Sequence, residues 1–128
     1  MKEYKNNLGE LHRLDDPAVE NNSGDKFWYI NGKLHREDGP AIEYNNGDKW
    51  WYINGREHRT DGPAVEYNNG DKYWCINGEI HREDGHAIER ISVSGNIEKE
   101  WVLNNVVYSE EEYKHELIKL KLKRLVDL

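Results

Sequence analysis

The residues best suited to chemistry are four histidine–arginine pairs, His12-Arg13, His35-Arg36, His58-Arg59 and His81-Arg82, each opening an H-R-x-D phrase. Histidine binds metals and moves protons near neutral pH, so a periodic row of it invites a metal or acid–base reading. The spacing argues otherwise. The phrases recur every 23 residues, and if each repeat adds two strands, equivalent side chains lie about 10 Å apart. Zinc–nitrogen bonds are about 2.0–2.1 Å, so neighbouring histidines cannot share an ion. The expectation is structural: His35 and Arg36, and their equivalents, bond the Asp38-Gly39 turn. His86 and His115 stand alone, without a ligand-spaced partner. Cys75 occupies the column of Tyr29, Tyr52 and Val102 and reads as a small sheet residue; no base is identifiable to activate it. Glu20, Glu43, Glu66 and Glu89 form a row of acids of the type glycosidases use in pairs, but a periodic row reads as a surface. No phosphate-cradling glycine loop occurs. Neither a catalytic residue, a metal nor a cofactor is expected.

The elements that must position these residues follow from the repeat. Residues 29–51, YINGKLHREDGPAIEYNNGDKWW, return one step later as YINGREHRTDGPAVEYNNGDKYW. Self-similarity at such a period signals stacked units, here 9–31, 32–54, 55–77 and 78–104. Asn31-Gly32, Asn54-Gly55 and Asn77-Gly78 are the strongest short hairpin signals, because both turn positions need positive φ. Further turns sit at Asn45-Asn46-Gly47-Asp48 and Asp38-Gly39-Pro40. Strands at 41–44, 49–53 and near 56–59 fit between them, with no room for a helix. The body, residues 1–108, is β.

A four-residue turn at 45–48 places Glu43 opposite Trp50 and Ile42 opposite Trp51. One face then carries Trp28, Trp51, Trp74 and Trp101 with Ile30, Ile53, Ile76 and Leu103, the expected core. The other carries the aromatic column Phe27, Trp50 and Tyr73 beside Glu20, Glu43, Glu66 and Glu89, the candidate binding surface. A one-residue slip would exchange the faces.

The last unit departs from the pattern, as terminal repeats do: His86 replaces the proline of the other units, and its hairpin lengthens around Ser94-Gly95-Asn96. Ser109 and Glu112 then form a capping box that starts a helix over 110–127, within a C-terminal segment 109–128 of the same domain. Tyr113, Leu117, Leu120 and Leu128 make one stripe, and Ile118, Leu122, Leu125 and Val126 a second, nearly opposite. Two stripes suggest one against the sheet and one against another surface, such as a second copy.

Composition bounds the partners. The chain has 25 acidic and 18 basic residues, a net charge of −7. Of these, 20 acids and 13 bases lie in residues 1–108, so the repeat body carries the whole excess. Such a body repels nucleic acid and anionic lipid and suits a basic protein. A single cysteine excludes an internal disulfide. The opening MKEYKNN has no signal-peptide pattern, and no apolar run is long enough to span a membrane; a cytoplasmic protein is expected.

GDKWWYINGREHRTDGPA, residues 47–64, resembles a MORN-type repeat, in the variant reading G-D-K-x-W-x-x-N-G-K-x-H-R-x-D-G-P-A. The resemblance covers residues 9 to about 108 and implies a mainly β fold: β-hairpins stacked into an elongated single sheet, here with a C-terminal helix. Such repeats serve mainly as interaction surfaces, and this variant is similar to repeats in antitoxin-like bacterial proteins and in phage and giant-virus proteins. MORN repeats usually carry H-G-x-G, whereas arginine follows each histidine here. The reading is a non-catalytic protein-binding module, an inhibitor of antitoxin-like or phage anti-defence (anti-CRISPR) type acting in the bacterial host cytoplasm. Its acidic, aromatic face would block a basic nucleic-acid-binding surface on its target, without binding nucleic acid or membrane itself. The alternative is a scaffold that self-associates, as a homodimer, through Ile118, Leu122 and Leu125.

Overall fold

The computed structural model describes residues 1–127; Leu128, assigned above to the first helical stripe, lies outside the described residues. Sixteen short strands and one helix follow in chain order. The first units contribute β1 (Lys2–Glu3), β2 (Val19–Glu20), β3 (Lys26–Phe27), β4 (Tyr29–Ile30), β5 (Lys33–Leu34) and β6 (Ile42–Glu43). The middle supplies β7 (Lys49–Trp50), β8 (Tyr52–Ile53), β9 (Arg56–Glu57), β10 (Val65–Glu66) and β11 (Lys72–Tyr73). The end holds β12 (Cys75–Ile76), β13 (Glu79–Ile80), β14 (Ile88–Ile91), β15 (Ile97–Leu103), β16 (Val106–Tyr108) and α1 (Glu110–Val126).

Ten strands form one antiparallel sheet in the order β1-β2-β3-β6-β7-β10-β11-β14-β15-β16. The fold is mainly β with one C-terminal helix, as the repeat pattern implies. Beside this sheet runs a second row of hairpins, β4-β5, β8-β9 and β12-β13. Each turns at an Asn-Gly pair with both φ angles positive, such as Asn54 at 50° and Gly55 at 79°. The chain changes rows at the tryptophan: the Trp51 N–H donates to Ala64 O at 2.7 Å, while its carbonyl accepts from His58 N at 3.1 Å. The expected strand 49–53 is therefore two strands with different partners.

Register corrects the face assignment. Tyr44 N donates to Asp48 O and Gly47 N to Tyr44 O, both at 3.0 Å, with Gly47 at φ 99°. The loop thus has three residues, 45–47, its last in the left-handed region that glycine tolerates, and Asp48 belongs to the closing pair. Ile42 consequently faces Trp50 and Glu43 faces Lys49. Every unit follows suit, and side chains alternate along a strand. Phe27, Trp50 and Tyr73 share their face with Val19, Ile42, Val65 and Ile88, not with the glutamates.

The core also differs from expectation. Ala18, Ala41, Ala64 and Ala87 are fully buried, and Ile42, Val65, Ile88, Cys75 and Val102 are nearly so. Of the expected tryptophan–isoleucine column, only Trp28 and Leu103 are buried; the rest are half-buried. An alanine immediately precedes each apolar strand residue, and its small side chain lets the two hairpin rows meet closely.

Candidate functional site

The four H-R-x-D corners share one construction, which local sequence sets. In the second unit the Arg36 guanidinium lies 3.9 Å from the centre of the Trp28 ring. It donates to Asp38 Oδ1 at 3.1 Å, to Pro40 O at 3.0 Å and to Glu43 Oε1 at 3.3 Å. Arg59 on Trp51 and Arg82 on Trp74 repeat the stack at 4.0 and 4.1 Å; in the first unit Arg13 covers Tyr4 at 3.9 Å. The corner glycine serves this approach: a Cβ on Gly39 or Gly62 would meet the guanidinium carbon at 2.9 or 2.8 Å. Arginine thus bonds its own turn as expected. Histidine does not. His35 Nδ1 accepts from Asn54 N of the following hairpin turn at 3.0 Å, and His12, His58 and His81 accept likewise from Asn31, Asn77 and Asn104. The histidines bridge successive hairpins, and with Nδ1 accepting, the neutral ring carries its proton on Nε2.

The predicted acidic row is a mixed-charge ladder. Lys2, Glu20, Lys26, Glu43, Lys49, Glu66, Lys72, Glu89 and Lys99 oppose one another strand by strand. Glu43 and Glu66 also receive Arg36 and Arg59. Glu89 receives His86 instead at 2.5 Å, and this bond holds its carboxyl below the usual range. His86, in the proline column, also wedges between Trp74 and Trp101, with ring centres 5.7 and 6.1 Å away. The glutamates therefore stand in register between lysines, on the face opposite Phe27, Trp50 and Tyr73. Those aromatics are half-buried and edge-stacked on the tyrosines, as in Phe27–Tyr44, Trp50–Tyr67 and Tyr67–Tyr73. Cys75 is buried beside Trp50 and Tyr73. Burial pushes its thiol up to about 11, so at neutral pH it is protonated and a poor nucleophile.

Acidic residues outnumber the arginines at the corners, although most of them pair with a neighbouring base. Asp15, Asp16, Glu37, Asp38, Asp61, Glu83 and Asp84 face four arginines there. Asp61 is held below its ordinary range by the Arg59 hydrogen bond. Between successive corners open three hollows of about 560, 580 and 670 Å³. Each has a tryptophan, an isoleucine and a histidine around one Asn-Gly hairpin in its wall: Trp28, Ile30 and His35, then Trp51, Ile53 and His58, then Trp74, Ile76 and His81. Three tryptophan–isoleucine pairs of the expected core column and three of the four histidines thus line these hollows. Sequence reasoning missed the lysine ladder, although a lysine follows the Gly-Asp of each turn at residues 26, 49 and 72. It also missed the arginine–tryptophan stack.

Helix α1 closes the last corner. Ser109 Oγ accepts from Glu112 N at 3.1 Å, the predicted N-cap. Tyr113 is buried, and its hydroxyl donates to Arg82 O at 2.7 Å. Leu117 and Leu120 are half-buried, whereas Ile118, Leu122 and Leu125 are 58%, 56% and 66% exposed. One stripe therefore faces the body and the other faces solvent. Arg124 donates to both Glu83 oxygens at 2.6 Å, and Lys121 reaches the rim of the third hollow. These bonds, with His81 behind, lower the Glu83 carboxyl to about 2.

Among the described residues no group of three or more His, Cys, Asp or Glu is placed to hold a metal ion, and no helix is long and apolar enough to cross a membrane. In comparisons with protein-family models, curated proteins and solved structures, the chain matches none.

Proposed function

We propose that the chain is a non-catalytic protein-binding module that docks a basic protein surface on its corner face. The observation that carries this reading is the row of corner carboxylates above the tryptophan–isoleucine hollows; Asp38, Asp61 and Asp84 have side chains 88%, 84% and 85% exposed. Exposed acid beside accessible aromatic surface suits a partner presenting lysine or arginine together with apolar side chains. The MORN-like resemblance favours an inhibitor of antitoxin-like or phage anti-defence (anti-CRISPR) type, in a bacterial cytoplasm, occupying a basic nucleic-acid-binding groove of its target. The binding surface in this proposal is the corner row; the Glu20, Glu43, Glu66 and Glu89 row alternates with lysines along the sheet.

The test is capture of partners from bacterial lysate at low and high salt, using the parent chain and a variant carrying Asp15→Lys and Glu37→Lys. A stoichiometric partner that salt and the corner reversals both release supports the reading. A partner indifferent to both refutes it. A second reading rests on the exposed stripe of Ile118, Leu122 and Leu125: self-association as a scaffold, in which Leu122→Glu converts a dimer to a monomer in light scattering.

A further inference from the structure

The second and fourth units carry the same corner two steps apart, and only one is covered by this chain. At the fourth, Glu83 binds Arg124 through both oxygens at 2.6 Å and lies 2.6 Å from His81 Nε2. At the second, Glu37 holds the equivalent position behind an equivalent histidine and an equivalent arginine–tryptophan stack. Its one ion-pair partner among the described residues is His35 Nε2 at 3.5 Å, and its side chain is 83% exposed, against 27% for Glu83. The other units cannot offer this group, since Leu14 and Thr60 stand in the column. Glu37 also borders both the first and the second hollow. It is a carboxylate on a ridge between two depressions that each have a tryptophan and an isoleucine in their walls.

Resting on the corner face as the docking surface, we infer that Glu37 seats an arginine of a basic amphipathic helix on the partner protein, whose apolar residues enter the hollows of Trp28 and Trp51. Glu83 supplies the precedent: the same group, in the same repeat position, already takes a guanidinium from a helix. Arg124 follows the body-facing Leu117 and Leu120, so that helix combines apolar and cationic groups on adjoining faces. Spacing favours a helix as well. Adjacent units are about 10 Å apart, two strands at about 4.8 Å, and seven helical residues rise about 10.5 Å while returning to nearly the same face. An apolar residue four before the arginine and another three after it would therefore straddle the ridge. In an extended strand three residues cover that distance, and their ends point to opposite faces.

The probe is an alanine-rich helical peptide with one arginine, a leucine four residues before it and another three after it. It is titrated into the full chain while the indole N–H signals of Trp28, Trp51 and Trp74 are followed by NMR. Saturable shifts at Trp28 and Trp51 are expected. Affinity should fall about five- to tenfold for Glu37→Gln, or for glutamine replacing the peptide arginine, and little further when both are changed. Because Glu37 is exposed, the variant should keep the parent melting curve, which separates binding from folding. If Glu37→Gln leaves affinity unchanged while Asp15→Asn and Asp38→Asn weaken it, the seat is refuted and the corner face stands. Shifts confined to Trp50 and the tyrosines, or to the outer stripe of α1, overturn both. No binding at millimolar peptide overturns the seat, leaving the corner face to be judged by lysate capture.

Discussion

The bond between Arg124 and Glu83 should hold the end of α1 to the repeat body in a pH-dependent manner. Glu83 is lowered from 4.5 to about 2, chiefly by the two Arg124 hydrogen bonds. Taken at face value the shift corresponds to about 3 kcal/mol. Arg124 is 55% exposed, so solvent screening reduces this to about 1–2 kcal/mol. A carboxylate with a depressed folded pKa stabilises fully above its unfolded value. The contribution should thus be present above pH 4.5, decline as pH falls below it, and be mostly lost by pH 2.5. The perturbation is a double-mutant cycle of Glu83→Gln and Arg124→Gln, read by urea unfolding with circular dichroism for the helix and tryptophan fluorescence for the sheet. The fluorescence transition should move little, because terminal units of a stack unfold semi-independently and Tyr113 still ties the start of α1 to Arg82. Strictly additive effects at pH 6, or a coupling equally strong at pH 2.5, would refute the clamp.

Three further outcomes follow from the corners and the ladder. Arg59→Met should cost about 2–3 kcal/mol in urea unfolding, since it removes bonds to Asp61, Pro63 O and Glu66 as well as the Trp51 stack; Arg59→Lys should not restore it, lacking the planar fork. His58→Ala should cost about 1 kcal/mol by leaving the Asn77 N–H without its acceptor, and should broaden the unfolding transition, because that bond joins two successive hairpins. Glu66→Lys would put a third lysine between Lys49 and Lys72, lowering stability by roughly 0.5–1 kcal/mol while leaving partner capture intact; loss of the partner with stability unchanged would return the binding surface to the ladder.

What the sequence determined by itself is whatever short-range chemistry controls. The 23-residue step, the Asn-Gly turns with both φ angles positive, the lengthened last hairpin and the Ser109 cap each depend on a few adjacent residues. They stand in the structure as they read in the chain. The two stripes of α1 were legible for the same reason, since helical phase is set by local spacing. Which side chains share a sheet face was not. It hinged on whether Asp48 lies in the loop or in the closing pair, a difference of one residue, and because strand side chains alternate with period two, that residue exchanged the faces. Tertiary structure likewise decided that lysines of the neighbouring strands stand opposite each glutamate, that Arg36, Arg59 and Arg82 lie on tryptophans, and that Arg124 reaches Glu83 across 41 residues. Such pairings depend on which strands and helices come together in space, and neither composition nor period specifies that.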